Sequence, residues 1–304
     1  MKLRMDFLEI VSQKNELQKN NLLHMFQDVL TPNEIREFEE MLMQLRENYS
    51  MEELVEAYLF LVEETFREMV YFFINKKYRY STLEEVNDKV YQNQEYMTKL
   101  MLGLQISEYL WVDHILIHRW YLNILDKIDR NKEGCFLEIG PGHGHYFLEA
   151  VNRGIFKEYI GIDVSPSSIA LAEEHLKTYA KYENYRFICA DINSYTFEKK
   201  FDMVTMSEVI EHVEHPENLL KRIYEITKPD ADIYITVPIN APALDHIYLF
   251  RNIQEVIQFV RDAGFEVHKQ YAVTSRGGSD TADLSDREEP IILALWLRRK
   301  TWNV

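Results

Sequence analysis

The chain has 304 residues, 46% of them apolar and 28% charged, enough for one large domain or two smaller ones with packed cores. Its net charge of −16 repels polyanions and argues against a nucleic-acid partner. There is no secretory n-region and no run of about 18 apolar residues, so no membrane span is expected and a cytoplasmic location is. Cys135 and Cys189 fall in expected strands and read as buried apolar fillers in a reducing compartment rather than a disulfide.

The first half reads as helix nearly throughout. Leu22, Met25, Phe26, Val29 and Leu30 recur at spacings of three and four, the mark of an amphipathic helix. Thr31-Pro32 with Glu34, and Ser50 with Glu53, are helix starts with a capping side chain and an acid three residues on. Another start lies at Ser81-Thr82, and helix continues through Trp111 to Leu125. From Cys135 onward short apolar strands alternate with helices. Strands are predicted near 135–140, 158–164, 185–190, 201–207, 232–238, 265–274 and 290–299, with helices near 143–153, 167–181, 209–227 and 252–263. This is an α/β pattern, a parallel sheet covered on both faces. The last two strands have only the polar stretch Ser275 to Glu289 between them, so one antiparallel strand is expected at the end. The division expected is a helical domain over residues 1–130 and a ligand-binding domain over 131–304.

The most informative run is Leu137-Glu138-Ile139-Gly140-Pro141-Gly142-His143-Gly144. Glycines at a strand-to-helix turn let backbone approach a ligand where a Cβ would clash. Asp163, at the end of the next strand, is spaced to accept hydrogen bonds from a ribose diol. Glu138, Asp163 and Asp191 make a site less suited to a pyrophosphate than to a cationic nucleoside, which counts against an NAD-dependent dehydrogenase.

Residues 130–304 resemble the class I S-adenosylmethionine-dependent methyltransferases, which have a Rossmann-like seven-stranded sheet with the last strand antiparallel. Glu138 to Gly144 matches that family's E/D-x-G-x-G-x-G turn, and Tyr159-Ile160-Gly161-Ile162-Asp163 its ribose-binding acid. Ala190-Asp191-Ile192 matches the adenine site, while Phe201 to Val204 and Ser207 to His212 match the fourth strand and the loop at the sulfonium end. The resemblance implies S-adenosyl-L-methionine as cofactor, held by Glu138, Gly140, Pro141, Gly142, Gly144, Asp163, Val164, Ala190, Asp191, Ile192, Ser207 and Glu208, with Glu138 suited to an ammonium group.

The acceptor is less legible. Ligands in open α/β sheets bind at the carboxyl ends of the strands. The segment from Pro238 to Phe250 follows the fifth strand and carries Asn240, Asp245, His246 and Tyr248. His246, Asn240 and Tyr248 are expected to orient the acceptor; as a bland alternative, Asn240 and Asp245 simply cap turns. The 240–247 loop and the long helical half are more loosely similar to methyltransferases of ribosomal peptide natural-product pathways. That likeness implies O-methylation of a carboxylate on a peptide or small natural product.

Two rivals stand beside it. Glu208-x-x-Glu211-His212 has the E-x-x-E-H spacing of metal-dependent O-methyltransferases acting on a ribose hydroxyl or a catechol, with His215 or His246 completing the shell. The other rival is a non-catalytic module that only binds the cofactor. His114 and His118 sit four apart on one helix and read as a packing pair, and Tyr71, Phe72, Phe73, Tyr78 and Tyr80 as core or pocket lining. The helical half can dimerise, cover the acceptor or dock a peptide.

Overall fold

A computed structural model describes residues 2–128, 134–275, 277–279 and 289–300. The expected boundary at residues 130 and 131, and most of the stretch between Ser275 and Glu289, lie outside the described residues.

Among the described residues seven α-helices precede the first strand: α1 (Leu3–Lys14), α2 (Glu16–His24), α3 (Pro32–Leu45), α4 (Met51–Asn75), α5 (Leu83–Val86), α6 (Gln94–Leu110) and α7 (Val112–Leu125). Both expected capping boxes form. The Thr31 hydroxyl accepts from Glu34 N–H at 3.3 Å while Glu34 takes the Thr31 N–H at 2.7 Å, and Ser50 and Glu53 repeat the arrangement. Glu34 also receives two hydrogen bonds from Arg119, tying the start of α3 to α7. Phe7, Phe38, Leu54, Tyr58 and Ile106 centre a core made from α1 to α4, α6 and the first turn of α7. Each fully buried side chain of this kind contributes ~1.5–3 kcal/mol.

The second half is an α/β sandwich around one sheet. Its strands are β1 (Cys135–Ile139), β2 (Glu158–Asp163), β3 (Tyr185–Cys189), β4 (Phe201–Met206), β5 (Thr227–Ile239), β6 (Phe265–Thr274), β7 (Gly277–Ser279) and β8 (Ile291–Arg299). Their order is β3-β2-β1-β4-β5-β8-β6-β7. The first five run parallel, and β8 pairs antiparallel with both β5 and β6. The last long strand is therefore inserted between its neighbours, not appended at the edge. Strand alternation divides the side chains between two faces. Leu137, Ile139, Val204 and Ile235 pack under α10 (Pro216–Ile226) and α11 (Ile253–Asp262). Phe136, Met203 and Tyr234 pack under α7, α8 (His145–Arg153) and Leu176 of α9 (Pro166–Tyr179). The helix α7 thus belongs to both halves, one end in the helical core and the rest on the sheet.

Three local readings are corrected. The fifth strand begins at Thr227, five residues early, because a register shift beside Phe201 lets Thr227 pair across from β4. Cys189 is exposed on β3, which lies at the open edge of the sheet, and Cys135, the first residue of β1, is half-buried. Gly277–Ser279 forms a short edge strand against β6. Among the described residues no helix is long and apolar enough to cross a membrane.

Candidate active site

The glycine turn leaves β1 and enters α8 through three residues of positive φ, Gly140, Gly142 and Gly144. At Gly140 (φ +67°) a Cβ would stand 2.5 Å from Val209 Cγ2, so only glycine fits. At Gly142 (φ +55°) a Cβ would meet nothing within 4 Å, so this part of the turn faces open space. Asp163 lies beside it, its carboxylate accepting the Ser165 N–H at 2.8 Å. Burial raises its pKa against the lowering effect of nearby N–H groups, Gly142 among them. Val164 is 69% exposed although apolar, and exposed Asp191 and half-buried Ala190 follow β3 nearby in the fold. Ala190 N–H donates to Asp163 O, which joins the two strand ends, while Ile192 is buried beneath them. Two carboxylates beside an exposed apolar surface and an open glycine turn suit a nucleoside with a ribose diol. The geometry fits S-adenosylmethionine at this end.

Glu138 is placed differently from the expectation. Strand alternation puts it on the α7 and α8 face, 3% exposed, accepting from Thr205 Oγ1 at 3.1 Å. Burial pushes its carboxyl up to about 8, against the lowering effect of the Thr205 hydroxyl.

Beyond β4, Ser207 and Glu208 close on β5. Glu208 holds φ +51°, uncommon for a residue with a side chain. Its N–H donates to Thr236 Oγ1 at 2.8 Å, and that hydroxyl donates back to the Glu208 carboxylate at 2.7 Å. Ser207 Oγ lies 3.0 Å from the same hydroxyl. Burial raises the pKa of Glu208.

One turn on, Glu211, His212 and His246 come together, their ligand atoms within 4.8 Å of one another. Glu211 Oε1 stands 3.5 Å from His212 Nε2 and 3.8 Å from His246 Nε2. His212 Nδ1 donates to the Asp245 carbonyl at 3.0 Å and His246 Nδ1 to the Ala241 carbonyl at 2.8 Å. Both imidazoles therefore turn the remaining nitrogen toward Glu211. Burial, then the neighbouring His212, pushes His246 down to about 4, while burial and Glu208 raise Glu211 well above the usual carboxylate range.

The other residues of this loop have local duties. Asn240 gives its amide to the Arg251 carbonyl at 2.8 Å and terminates β5. Tyr248 packs on Phe250 and Phe259. His215 is on the surface with Glu217, and Glu208 is turned to Thr236, so His246 takes the place in the cluster that the sequence offered to either. The helical half reaches the loop directly: Tyr78 donates to the Ala241 carbonyl and lies edge-on to His246. Of the aromatic run, Phe72 packs on Tyr78 whereas Phe73 is 73% exposed. His114 and His118 part company, the first joining Ser107 and the second packing at a tilt against His145. Sequence reasoning missed Tyr78 as a loop partner, and also Glu108, which stands beside His143 of the glycine turn at 3.8 Å. Their separation in the chain gives no local signal for either.

Residues 112–270 match the family model described as methyltransferase domain. A ubiquinone biosynthesis O-methyltransferase of Azoarcus sp. (strain BH72) is 29% identical over 100 residues, 33% of this chain and 42% of that protein. Phosphoethanolamine N-methyltransferase 2 of Caenorhabditis elegans is 24% identical over 67% of this chain and 49% of its own length. The match thus spans less than half of either relative. Among solved structures, N-methyltransferase NodS from Bradyrhizobium japonicum WM9 with S-adenosyl-l-homocysteine is 16% identical, with a TM-score of 0.47 over 61% of this chain and 87% of that one. An S-adenosylmethionine-dependent methyltransferase from Clostridium acetobutylicum ATCC 824 is 10% identical, with a TM-score of 0.48 over 72% and 98%. The family model covers half the chain and falls on the α7-to-β6 unit that builds the glycine turn, so the chain belongs to the methyltransferase domain family.

Proposed function

We propose that the chain is an S-adenosylmethionine-dependent O-methyltransferase acting on a neutral hydroxyl, with a divalent cation seated between Glu211, His212 and His246. The observation that carries this reading is Glu211. Its side chain is fully buried and neither oxygen has a hydrogen-bond partner. Two imidazole lone pairs face it, because both Nδ1–H groups are engaged by carbonyls. Two imidazole nitrogens and a buried carboxyl without a hydrogen-bond partner converge, an arrangement that a cation displacing the carboxyl proton relieves. Metal–ligand lengths of about 2.0–2.2 Å would set neighbouring donors about 3–3.5 Å apart, close to the separations seen. Two imidazoles and a carboxylate suit zinc or a first-row transition ion better than magnesium.

The cofactor would supply a methyl group on a sulfonium, and the cation would lower the pKa of an acceptor hydroxyl. The chain's own residues do the rest. Asp163, Val164, Asp191 and the glycine turn hold the nucleoside. Thr236 fixes Glu208 at the sulfonium end. Val86, Val90, Tyr96 and Met97 of the helical layer pack with Leu244 and Ile247, excluding water from one side of the histidine loop. The O-methyltransferase names among the relatives are in keeping with an oxygen acceptor.

The test is methyl transfer from labelled cofactor to a panel of hydroxyl acceptors, before and after chelation. Turnover should fall by at least about tenfold without metal and return on adding zinc or manganese. Unchanged turnover in metal-free protein would sink the cation. Label released as methanol by mild base would mean an ester, and would restore the carboxylate acceptor.

A further inference from the structure

The helix α4 buries one face and exposes an apolar stripe on the other. Leu54, Tyr58, Leu61 and Phe72 lie on the buried face. In the second half of the helix Phe66, Phe73 and Ile74 are 66%, 73% and 72% exposed, and Val70 between them is 43% exposed. These positions fall at i, i+4, i+7 and i+8, so they share one side of the helix. Four large apolar side chains together on a charged protein mark a contact with another body. A groove of about 450 Å³ runs beside the stripe, with Phe66, Val70, Ile74 and Arg79 in its walls. Glu68 holds Arg79 at 2.8 Å, and the guanidinium lies over the Tyr71 ring at 4.2 Å, so this wall is fixed.

The charges around the stripe are ordered along the helix. Exposed Glu63 comes before it, and exposed Lys76 and Lys77 come after its end. Arg67 sits within it, bonded to Glu63 and Glu64 at 2.6 Å each and still 59% exposed. About Val70 the chemistry is therefore nearly symmetric. Arg67 and Phe73 stand three residues to either side, Phe66 and Ile74 four, and Glu63 and Lys77 seven. Two antiparallel helices related by a two-fold axis at Val70 would set each of these residues against the other member of its pair on the second copy. Phe66 then meets Ile74 and the groove, the Arg67 guanidinium meets the Phe73 ring, and Glu63 meets Lys77. A parallel pairing would put like charges together, and the net charge of −16 opposes contact through less balanced faces.

We propose that this face of α4 seats a second copy of the chain, as an antiparallel pair with Val70 on the two-fold axis. Such an interface uses the same patch on both copies and closes at two. The turn that leaves α4 carries Tyr78 to the Ala241 carbonyl, so a copy seated on α4 braces the contact between the helical half and the histidine loop.

Sedimentation of the full chain at tens of micromolar tests this, with the sign of the charge at residue 70 as the lever. The wild-type chain should sediment as a dimer. Val70→Glu and Val70→Lys each set like charges face to face and should each weaken the dimer by about 100-fold or more. An equimolar mixture of the two variants should recover a dimer, because on the axis residue 70 meets residue 70. Unchanged circular dichroism reports that the variants are folded, and Ile74→Glu, which faces Phe66 of the second copy, puts the same question if they are not. A monomeric wild-type chain, a dimer indifferent to these substitutions, or a mixture that stays monomeric would overturn the pair. A monomer that cosediments with anionic lipid vesicles would overturn it too, and would give the stripe and its lysines to a membrane surface.

Discussion

The glycine-turn end, proposed for the nucleoside, and the histidine loop, proposed for the acceptor, are built in different ways. The first uses strand ends and the turns that directly follow them: Gly140 to Gly144 after β1, Asp163 and Val164 after β2, and Ala190 to Ile192 after β3. Each piece is a short segment whose conformation its own residues dictate. The acceptor end gathers Tyr78, Glu211, His212 and His246 from places far apart in the chain. Tyr78, Glu211 and His246 are buried and His212 half-buried, and the Glu211 carboxylate has no hydrogen-bond partner. A nucleoside site can be assembled from local turns because its ligand offers hydroxyls and an apolar ring. A site that perturbs ionisation needs burial, and burial needs a second layer of protein.

Three measurements would break or sharpen that contrast. The largest effect is expected at Asp163. Asp163→Ala removes the proposed acceptor for the ribose hydroxyls and should lower S-adenosylhomocysteine affinity by about 100-fold or more. His246→Ala, at the other end, should leave it within about threefold, less than one net hydrogen bond. Calorimetry showing similar losses in both variants would mean that the two ends are one site.

The next effect is on the pH dependence of stability. Burial raises Glu138 from 4.5 to about 8. Between those values the unfolded chain gives up a proton that the folded protein keeps, so stability falls as pH rises from about 4.5 to about 8. Glu138→Gln should flatten this slope when urea midpoints are compared at pH 5 and pH 8. An unchanged slope would show that Glu138 ionises freely and remains available to an ammonium group.

The smallest effect is remote from both ends. Thr31→Ala opens the capping box of α3 and should cost about 1 kcal/mol in urea denaturation, with cofactor affinity unaltered. A change in affinity would show that strain at α3 travels through Glu34 and Arg119 to α7.

Much of the fold was legible because its signals are local. Thr31 with Glu34 and Ser50 with Glu53 mark real helix starts, since a capping side chain and its N–H group lie three residues apart. Short apolar runs mark the central strands, such as β1 and β4, because these are covered on both faces. The early start of β5 was hidden: Lys228-Pro229-Asp230 reads as a loop, yet Lys228 pairs with Asp202 at 2.8 Å beside the register shift. The insertion of β8 between β5 and β6 had no local sign either.

The residues by themselves determined the glycine turn, the acids that follow β2 and β3, and the alternation that makes an α/β sheet. Those depend on backbone freedom and on side-chain periods of two and 3.6, which neighbouring residues set. Only the tertiary structure decided which charges survive. Strand alternation carried Glu138 into the core, where burial suppresses its ionisation. The loop after β5 set His246 against Glu211, and the α6–α7 corner set Glu108 against His143. Ionisation depends on the dielectric and on charges a few ångströms away, and those neighbours come from distant parts of the chain.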